Sequence, residues 1–292
     1  MSKFPEFLNL PLAKYIDIAM DWLLINLEGF FDFIGFIILR VVMAFENVFL
    51  FIPWFVVILL IGLAGWKLIG SLKTGIFFMV LMVVVGSFQY WDLAMQTLAL
   101  VIASVVLALL IGLPMGIVMA RSDRAERIMK PILDGMQTMP SFVYLIPALM
   151  FFGMGKVPSM FATIIYAVPP VIRLTNVGIR EVDVEALEAA KAFGATKRQI
   201  LFDVQLPLAK PSIMVGINQT TMMALSMVVI GSMIGAKGLG MEVLLAIGRI
   251  EVGRGFEAGI SIVFLAIIID RITHSFSRKK PKSEQQNGVT HE

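Results

Sequence analysis

Cysteine is absent from the 292-residue sequence, and histidine occurs only twice. The lack of thiols excludes disulfides, thiolate-bound metals and a cysteine nucleophile, and two histidines do not make a histidine-rich metal site. Charged residues are also scarce, at 15% of the chain, whereas soluble domains carry about 25%. An ordinary soluble enzyme and a disordered chain are therefore excluded, and we expect no catalytic residues and no metal site.

The nucleotide-binding sequence Gly-x-x-x-x-Gly-Lys-Ser/Thr is also missing. In many ATPases the backbone amides and the lysine of that loop hold the phosphates. The segment Gly153–Lys156 has two glycines and a lysine, but it lacks the following hydroxyl residue and the spacing. We therefore expect no cofactor in this chain, so that any ATP that drives it is hydrolysed by another chain. The net charge of +3 comes without a basic run interleaved with aromatics, which argues against nucleic acid.

Apolar residues are abundant, at 58% of the chain with a mean hydropathy of +0.88. This composition predicts one all-α polytopic membrane domain, and a helix needs about 20 apolar residues to cross the bilayer. Seven segments are candidates, of which the second is short and the fourth is interrupted by Pro140 and Pro147. They are Pro53–Leu72, Gly75–Tyr90, Ala94–Ala120, Pro131–Phe152, Val157–Gly178, Pro211–Ala236 and Phe256–Phe276.

The distribution of Lys and Arg predicts the orientation of these spans, because basic residues concentrate on the cytoplasmic side. With the N-terminus outside, sixteen of the 24 basic residues fall in inside segments and seven in outside segments, and Arg173 lies within a span. The opposite orientation reverses these numbers. The sequence therefore predicts a multi-pass protein of the bacterial cytoplasmic membrane with its N-terminus outside and its C-terminus inside.

Residues 1–52 form a region of their own before the first predicted span. Five acids interrupt its apolar residues and share one narrow stripe at helical spacing; they are Asp17, Asp21, Glu28, Asp32 and Glu46. This pattern predicts an amphipathic helix, or two helices broken near Gly29, lying in the membrane interface. The alternative is a helix packed on the flank of the protein itself. Both interpretations make the region a peripheral scaffold rather than a span.

The longest polar stretch between predicted spans runs from Arg180 to Pro207. Asp183 can cap a helix over 184–193, and Gly194 supplies the left-handed residue that ends it. Thr196 then starts a second helix, with Gln199 three residues later as in a capping box. We expect this second helix to stop near Leu206-Pro207. Two short helices joined by a glycine do not cross a membrane, so they form a compact elbow inside. An ordinary solvated loop helix is the alternative.

At this point the sequence resembles a known family. Glu188-Ala189-Ala190, with Gly194 four residues later and then Ile200 and Leu206-Pro207, is similar to the EAA motif of bacterial ABC importer permeases. That resemblance implies a coupling elbow that docks on a separate ATPase subunit. The residues to which it assigns coupling are Glu188, Ala189, Ala190, Gly194, Ala195, Thr196, Ile200, Leu206 and Pro207.

The segment Asp134–Pro147 looks like the motif of the fourth span in the glycine betaine/proline branch of this family. Shorter segments between Gln96 and Gly240 look like other motifs of the same branch. The resemblance implies a type I importer (MetI-like) fold with a permease domain over 53–276, its coupling elbow at 180–207 and a cytoplasmic polar tail over 277–292. Candidate pathway or gate residues follow from their positions in these motifs. They are Gln137, Thr138, Pro140, Arg173, Asn218, Gln219, Ser226, Gly235, Gly238 and Gly240.

For several of these residues, a purely structural role is an open alternative to a role in transport. Arg173 lies near the inside end of its span, so its side chain either reaches the interface or lines the path or the seam between two copies. Asn218, Gln219 and Ser226 either line the path or make ordinary interhelical hydrogen bonds. Pro140, Pro147 and Gly235 are predicted to allow bending.

The resemblance implies the permease subunit of an ATP-driven importer for glycine betaine or a related compatible solute. Its partners are expected to be a second permease copy, two ATP-binding subunits that hold ATP and Mg²⁺, an extracellular solute-binding protein and the lipid bilayer. A permease for another small solute such as methionine is one alternative. A stand-alone secondary transporter or channel is another, but it needs carboxylates well inside the core spans, and the sequence has only Asp270, near an inside end.

Overall fold

The computed structural model describes residues 11–276, and this part of the chain is built from α-helices joined by short turns. The first ten residues and the predicted tail over 277–292 lie outside the described residues. In chain order the helices are α1 (Leu12–Asn26), α2 (Glu28–Phe51), α3 (Trp54–Ile69), α4 (Leu72–Ser87), α5 (Trp91–Arg121), α6 (Asp123–Thr138), α7 (Leu145–Phe152), α8 (Lys156–Arg180), α9 (Val184–Ala192), α10 (Lys197–Gln199), α11 (Leu206–Gly231), α12 (Leu239–Arg249) and α13 (Val252–Ser275).

Helices α5, α8 and α11 pack against one another and form the centre of the bundle. Small residues let their backbones approach closely, as is common where helices meet inside a membrane. A Cβ atom on Gly112 would lie 2.4 Å from Val171 Cγ1, and one on Gly116 would lie 2.8 Å from the Ile172 carbonyl oxygen. The largest cluster of buried apolar side chains lies here, and Ile38 and Val42 of α2 join it from outside.

Helices α3 and α4 form a tight hairpin at the side of the bundle. A Cβ atom on Gly75 would lie 2.5 Å from the Gly62 carbonyl oxygen, so this packing requires glycine at position 75. Each helix has 16 residues, which is a length of about 24 Å, whereas the hydrocarbon core is about 30 Å thick. The first predicted span is therefore a shorter helix than the sequence indicated, whereas the second has its predicted length and starts three residues earlier.

The expected number of seven spans is corrected by the structure. Among the described residues, five helices are long and apolar enough to cross a membrane, and a bent pair makes a sixth. The bent pair is α6 with the segment Ser141–Phe152, which meet at 108°. The break falls at Met139-Pro140, as predicted for Pro140. Pro147 lies instead in the first turn of α7, where its missing N–H leaves no helical hydrogen bond unmade.

The N-terminal region consists of two helices that meet at Leu27, close to the predicted break. Helix α1 has no buried residue, whereas α2 buries Ile38 and Val42 against the bundle, so packing on the flank of the protein is supported for α2 and not for α1. Helix α2 differs from expectation, because its 24 residues have the length and composition of a span. Its acids interrupt it less than the sequence indicated, since Glu28 stands at its first turn and Glu46 is paired with Lys156 at 2.5 Å.

The contacts of α2 show how it meets the bundle. Phe31 stacks on Phe151 with ring centroids 3.9 Å apart, and Glu46 reaches Lys156. These two α2 residues are about 22 Å apart along the helix, yet their partners are separated by only five residues around the end of α7 and the start of α8. Helix α2 therefore passes across this end of the bundle instead of running beside α8 along its whole length.

Candidate functional site

The elbow between α8 and α11 has the first cap that its sequence predicts. The Asp183 carboxylate accepts a hydrogen bond from the Glu185 backbone N–H at 2.9 Å, which starts α9. The first N–H groups of a helix have no partner within the helix, so a carboxylate at this position stabilises it. Helix α9 then presents Glu188 and Ala189 to solvent and keeps Ala190 half-buried.

Gly194 ends α9 in the left-handed conformation, at φ 81°. A residue with a side chain is strained there, and a β-branched one most of all. The next turn carries the predicted capping box, in which Gln199 Oε1 accepts from the Thr196 N–H at 2.9 Å and Thr196 Oγ1 accepts from the Gln199 N–H at 3.4 Å. The chain between α9 and α10 therefore reverses over a few residues with its backbone groups satisfied.

The second elbow helix does not stop near Leu206-Pro207, which corrects the sequence interpretation. Helix α10 continues through a π-helical segment, Ile200–Gln205, into α11, so that one helical stretch runs from Lys197 to Ile234. Pro207 stands in the first turn of α11. The wider π turn accommodates the proline, which lacks a backbone N–H to donate. Ile200 and Leu206 are half-buried, whereas Pro207 is exposed.

A small apolar cluster anchors the elbow to the ends of the two long helices. Leu201 is 3% exposed and packs with Ile179 of α8 and Ala209 of α11. Val182, just before the α9 cap, is buried as well. Helix α9 itself has no buried residue. The elbow is therefore fixed at its base and free along the helix that carries the Glu-Ala-Ala sequence.

Phe193 is a candidate contact residue that the sequence interpretation missed. Its side chain is 93% exposed at the tip of the elbow, directly before Gly194. Val184 and Phe202 are also largely exposed on this part of the surface. The available signal was a phenylalanine among charged residues, directly before the glycine that ends α9.

Arg173 makes an ion pair that neither of its two sequence interpretations included. Its Nη2 atom lies 2.5 Å from Asp134 Oδ1, which joins α8 to α6 one turn before Gln137 and Thr138. Gln137 is half-buried and Thr138 exposed. The arginine charge near the end of this span is therefore balanced by a residue of the same chain.

Asn218 on α11 meets α13 rather than open space. Its amide group donates to Asp270 Oδ1 at 3.1 Å, and its own side-chain oxygen is buried without a partner among the described residues. This is the interhelical hydrogen bond that the sequence left open as the alternative to pathway lining. Gln219 and Ser226, on the same helix, are exposed in the single chain.

The glycines after α11 form the opposite end of the bundle from the elbow. Gly235 is at φ 91° beside the Gly153–Gly155 turn, where the Gly155 N–H donates to the Ile234 carbonyl at 2.9 Å. Gly238 is buried against α5, and the Leu239 N–H donates to Thr97 Oγ1 at 2.9 Å. The candidate pathway residues thus lie at both ends of one copy and, for Asn218 and Gln219, near the middle of α11, and they do not form one enclosed site.

Comparison with known proteins gives close relatives over almost the whole chain. A glycine betaine/carnitine transport permease of Listeria monocytogenes is 51% identical over 96% of this chain and 100% of its own length. A glycine betaine transport system permease of Bacillus subtilis is 44% identical over 96% and 98% of the two chains. A glycine betaine/proline betaine permease of Escherichia coli is 45% identical over 92% of this chain and 76% of its own.

Among solved structures, an inward-facing MetNI methionine ABC transporter resembles this chain with a TM-score of 0.56 and 24% identity. The match covers 62% of this chain and 93% of that one. At this identity the likeness shows the fold, which is the type I importer permease fold expected from the elbow and span motifs. Residues 112–281 match the model of a family described as the inner membrane component of binding-protein-dependent transport systems. On this match and on the relatives that are 44–51% identical, the chain belongs to this family of transport permeases.

Proposed function

We propose that this chain is the membrane-spanning permease of an ATP-driven importer for glycine betaine or a closely related solute. The observation that carries the proposal is the elbow, whose Glu188-Ala189 face and Phe193 are exposed while its base is anchored between α8 and α11. An anchored, exposed helix of this kind fits a groove on a partner protein. The solute class follows from the permeases that are 44–51% identical to this chain.

The partners in this proposal are a second copy of the chain, two ATP-binding subunits and an extracellular solute-binding protein. ATP and Mg²⁺ would bind to the ATP-binding subunits, where hydrolysis takes place, so this chain is a non-catalytic subunit. The exposed Gln219 and Ser226 of α11 are the groups through which two copies would line a common path. Solute would enter that path from the binding protein.

The structure of the elbow supports a simple route for coupling. When the ATP-binding subunits close, they displace α9 and the turn at Gly194. The apolar contacts of Leu201 with Ile179 and Ala209 join the elbow to the ends of α8 and α11. Because packed helices move as rigid bodies, the displacement reaches the far ends of these helices, at the Gly153–Gly155 and Ile234–Gly235 turns.

The proposed orientation places the elbow and C-terminus in the cytoplasm and the N-terminus outside. The absence of cysteine makes this testable, because one introduced cysteine is the chain's only thiol. With membrane-impermeant thiol reagents on intact cells, Lys14→Cys and Lys237→Cys are expected to react, and Lys191→Cys to react only after permeabilisation. Labelling of Lys191→Cys in intact cells would reverse the orientation. Lys14→Cys that reacts only after permeabilisation, while Lys237→Cys reacts in intact cells, would show that α2 crosses the membrane.

The decisive experiment uses the tagged chain purified in mild detergent from its native host. An ATPase subunit of separate sequence is expected to co-purify, and glycine betaine with its binding protein is expected to raise ATP turnover. Co-purification without stimulation would retain the permease and remove glycine betaine as the solute. Solute movement in liposomes by the chain alone, without ATP, would contradict the proposal.

A further inference from the structure

Arg180, the last residue of α8, is the centre of a polar cluster at the base of the elbow. Its Nη1 atom lies 2.7 Å from Asp123 Oδ1, and its Nη2 atom lies 3.2 Å from Glu126 Oε2 and 3.1 Å from the Met119 carbonyl oxygen. Its Nε atom donates to Asn176 Oδ1 at 3.1 Å. One guanidinium group therefore joins the end of α5, the first turn of α6 and its own helix.

The cluster is closed by a further bond. Asn176, which is 2% exposed, donates from its amide nitrogen to Glu126 Oε1 at 3.0 Å. Glu126 thus accepts from both Asn176 and Arg180, and both of these residues lie on α8. A planar guanidinium with several fixed donors holds such an arrangement more rigidly than a lysine ammonium group does.

The position of the cluster in the chain gives it its significance. Arg180 lies three residues before Asp183, which caps α9, and only Glu181 and the buried Val182 separate them. The acids that it binds open α6, and α6 leads to the Pro140 break and α7. The elbow is continuous in sequence with α8 and α11 but not with α6 and α7. The Arg180 cluster is thus a direct polar link from the base of the elbow to the bent helix pair.

We infer that Arg180 is a positioning residue for coupling, which makes α6 and the bent segment follow the elbow when the ATP-binding subunits displace it. This inference rests on the proposed function, because it requires an elbow that a partner moves. The Arg173–Asp134 pair lies two turns away between the same two helices. Its side chains are 38% and 51% exposed, so in isolation it restrains α6 weakly.

The test uses the complete complex, with its ATP-binding subunits and binding protein, in liposomes. The readout is the amount of radiolabelled glycine betaine taken up per ATP hydrolysed, measured on complexes with equal subunit content. Arg180→Gln is expected to lower this ratio by about fivefold or more, the scale of a typical coupling between sites. Arg180→Lys, which keeps the charge but loses the planar donors, is expected to give an intermediate ratio.

Glu126→Gln is the second variant, because it keeps the size of the side chain and one oxygen for Asn176, while it removes the charge and the oxygen that accepts from Arg180. Should Arg180→Gln not assemble, a reduced ratio in Glu126→Gln supports the inference, and a wild-type ratio overturns it. Arg254→Gln is the matched control, since Arg254 also bridges two acids, Glu242 and Glu251, but away from the elbow. Its ratio is expected to stay at the wild-type value.

Gly194→Val separates this inference from the proposed function. A wild-type ratio in assembled Arg180→Gln together with a reduced ratio in Gly194→Val would overturn the role of Arg180 and keep the coupling elbow. Wild-type ratios in both variants would overturn the elbow as well. An equal fall of the ratio in Arg180→Gln and in the Arg254→Gln control would show a general loss of structure and would also contradict the inference.

Discussion

The two ends of the helix bundle hold their charges in different ways. At the elbow end, Arg180 shares two acids and a carbonyl, and Asp123 in that cluster is 82% exposed. At the opposite end, Glu46 and Lys156 form a pair whose side chains are only 12% and 24% exposed. A network with several acceptors keeps the arginine charge paired while the helices that it joins move together, whereas separating an enclosed pair leaves a largely buried charge without a partner. The Arg180 network is therefore suited to moving with the elbow, and the Glu46–Lys156 pair to holding α2 in place.

The largest expected effect comes from breaking the enclosed pair. Glu46→Ala leaves the Lys156 ammonium without its partner in a largely buried place, which should lower the free energy of unfolding by about 3 kcal/mol. Denaturant unfolding in one detergent would measure this loss. Glu28→Ala, which removes an exposed acid from the same helix, is the control and should change little.

A double variant tests whether the pair itself or only its unpaired half matters. Glu46→Gln with Lys156→Met removes both charges, so no uncompensated charge remains, and stability should return to within about 1 kcal/mol of wild type. A double variant as unstable as Glu46→Ala would mean that the pair does not account for the loss.

The next effect concerns the elbow turn. Gly194→Val places a β-branched residue at a φ of 81°, which costs about 1–2 kcal/mol. Solute uptake should fall about tenfold, while membrane insertion, measured from the amount of protein in isolated membranes, stays unchanged. Gly194→Asn, which tolerates this conformation better, should keep more of the uptake. Near-normal uptake by well-expressed Gly194→Val would contradict the elbow argument.

A smaller effect is expected at the tip of the elbow. Phe193→Ala removes a side chain that touches little of this chain, so the free energy of unfolding should not change. Binding of the ATP-binding subunit should weaken by about 1–2 kcal/mol, as for an aromatic contact residue at an interface, and titration of the two purified components would measure it. Phe51→Ala, an equally exposed phenylalanine away from the elbow, is the control. Equal binding by Phe193→Ala and wild type would exclude Phe193 from the interface.

The smallest effect is expected for Arg254→Gln. Arg254 contacts Glu242 at 2.6 Å and Glu251 at 3.3 Å, but its side chain is 38% exposed. Ion pairs open to solvent contribute little to stability, so the free energy of unfolding should stay close to the wild-type value. A loss as large as that of Glu46→Ala would remove the distinction between enclosed and open pairs.

These two regions also differ in how far apart in the sequence their interacting residues lie, and this distance decides which features the sequence predicts. The caps at Asp183 and Thr196 and the turn at Gly194 depend on residues within four positions, so their patterns predict them. The Glu46–Lys156 pair joins residues 110 positions apart, and nothing local in the sequence marks it. The sequence interpretation did not include this pair. The acids of α2 were therefore treated as evidence against a long apolar helix, which the structure contains.

The same reasoning applies to the pathway residues. Arg173 and Asp134 are 39 positions apart, so two interpretations of the arginine were considered without its actual partner. The predicted end at Leu206-Pro207 was wrong because a π turn accommodates the proline, and a π turn has no sequence signature of its own. The predicted break at Pro140 was correct, because the residue before a proline rarely adopts the helical conformation.

The short α3–α4 hairpin has a consequence for the lipid around the protein. Each of its helices is about 6 Å shorter than the thickness of the hydrocarbon core. Their close glycine contacts prevent the two helices from sliding along each other to cover a longer distance. With both helices crossing the membrane, as the sequence predicts, the bilayer beside the hairpin would thin to match their apolar surface, at a cost of a fraction of a kcal/mol per Å. The acyl-chain length of the surrounding lipids therefore affects this side of the protein, and lipids with shorter chains reduce the hydrophobic mismatch at the hairpin.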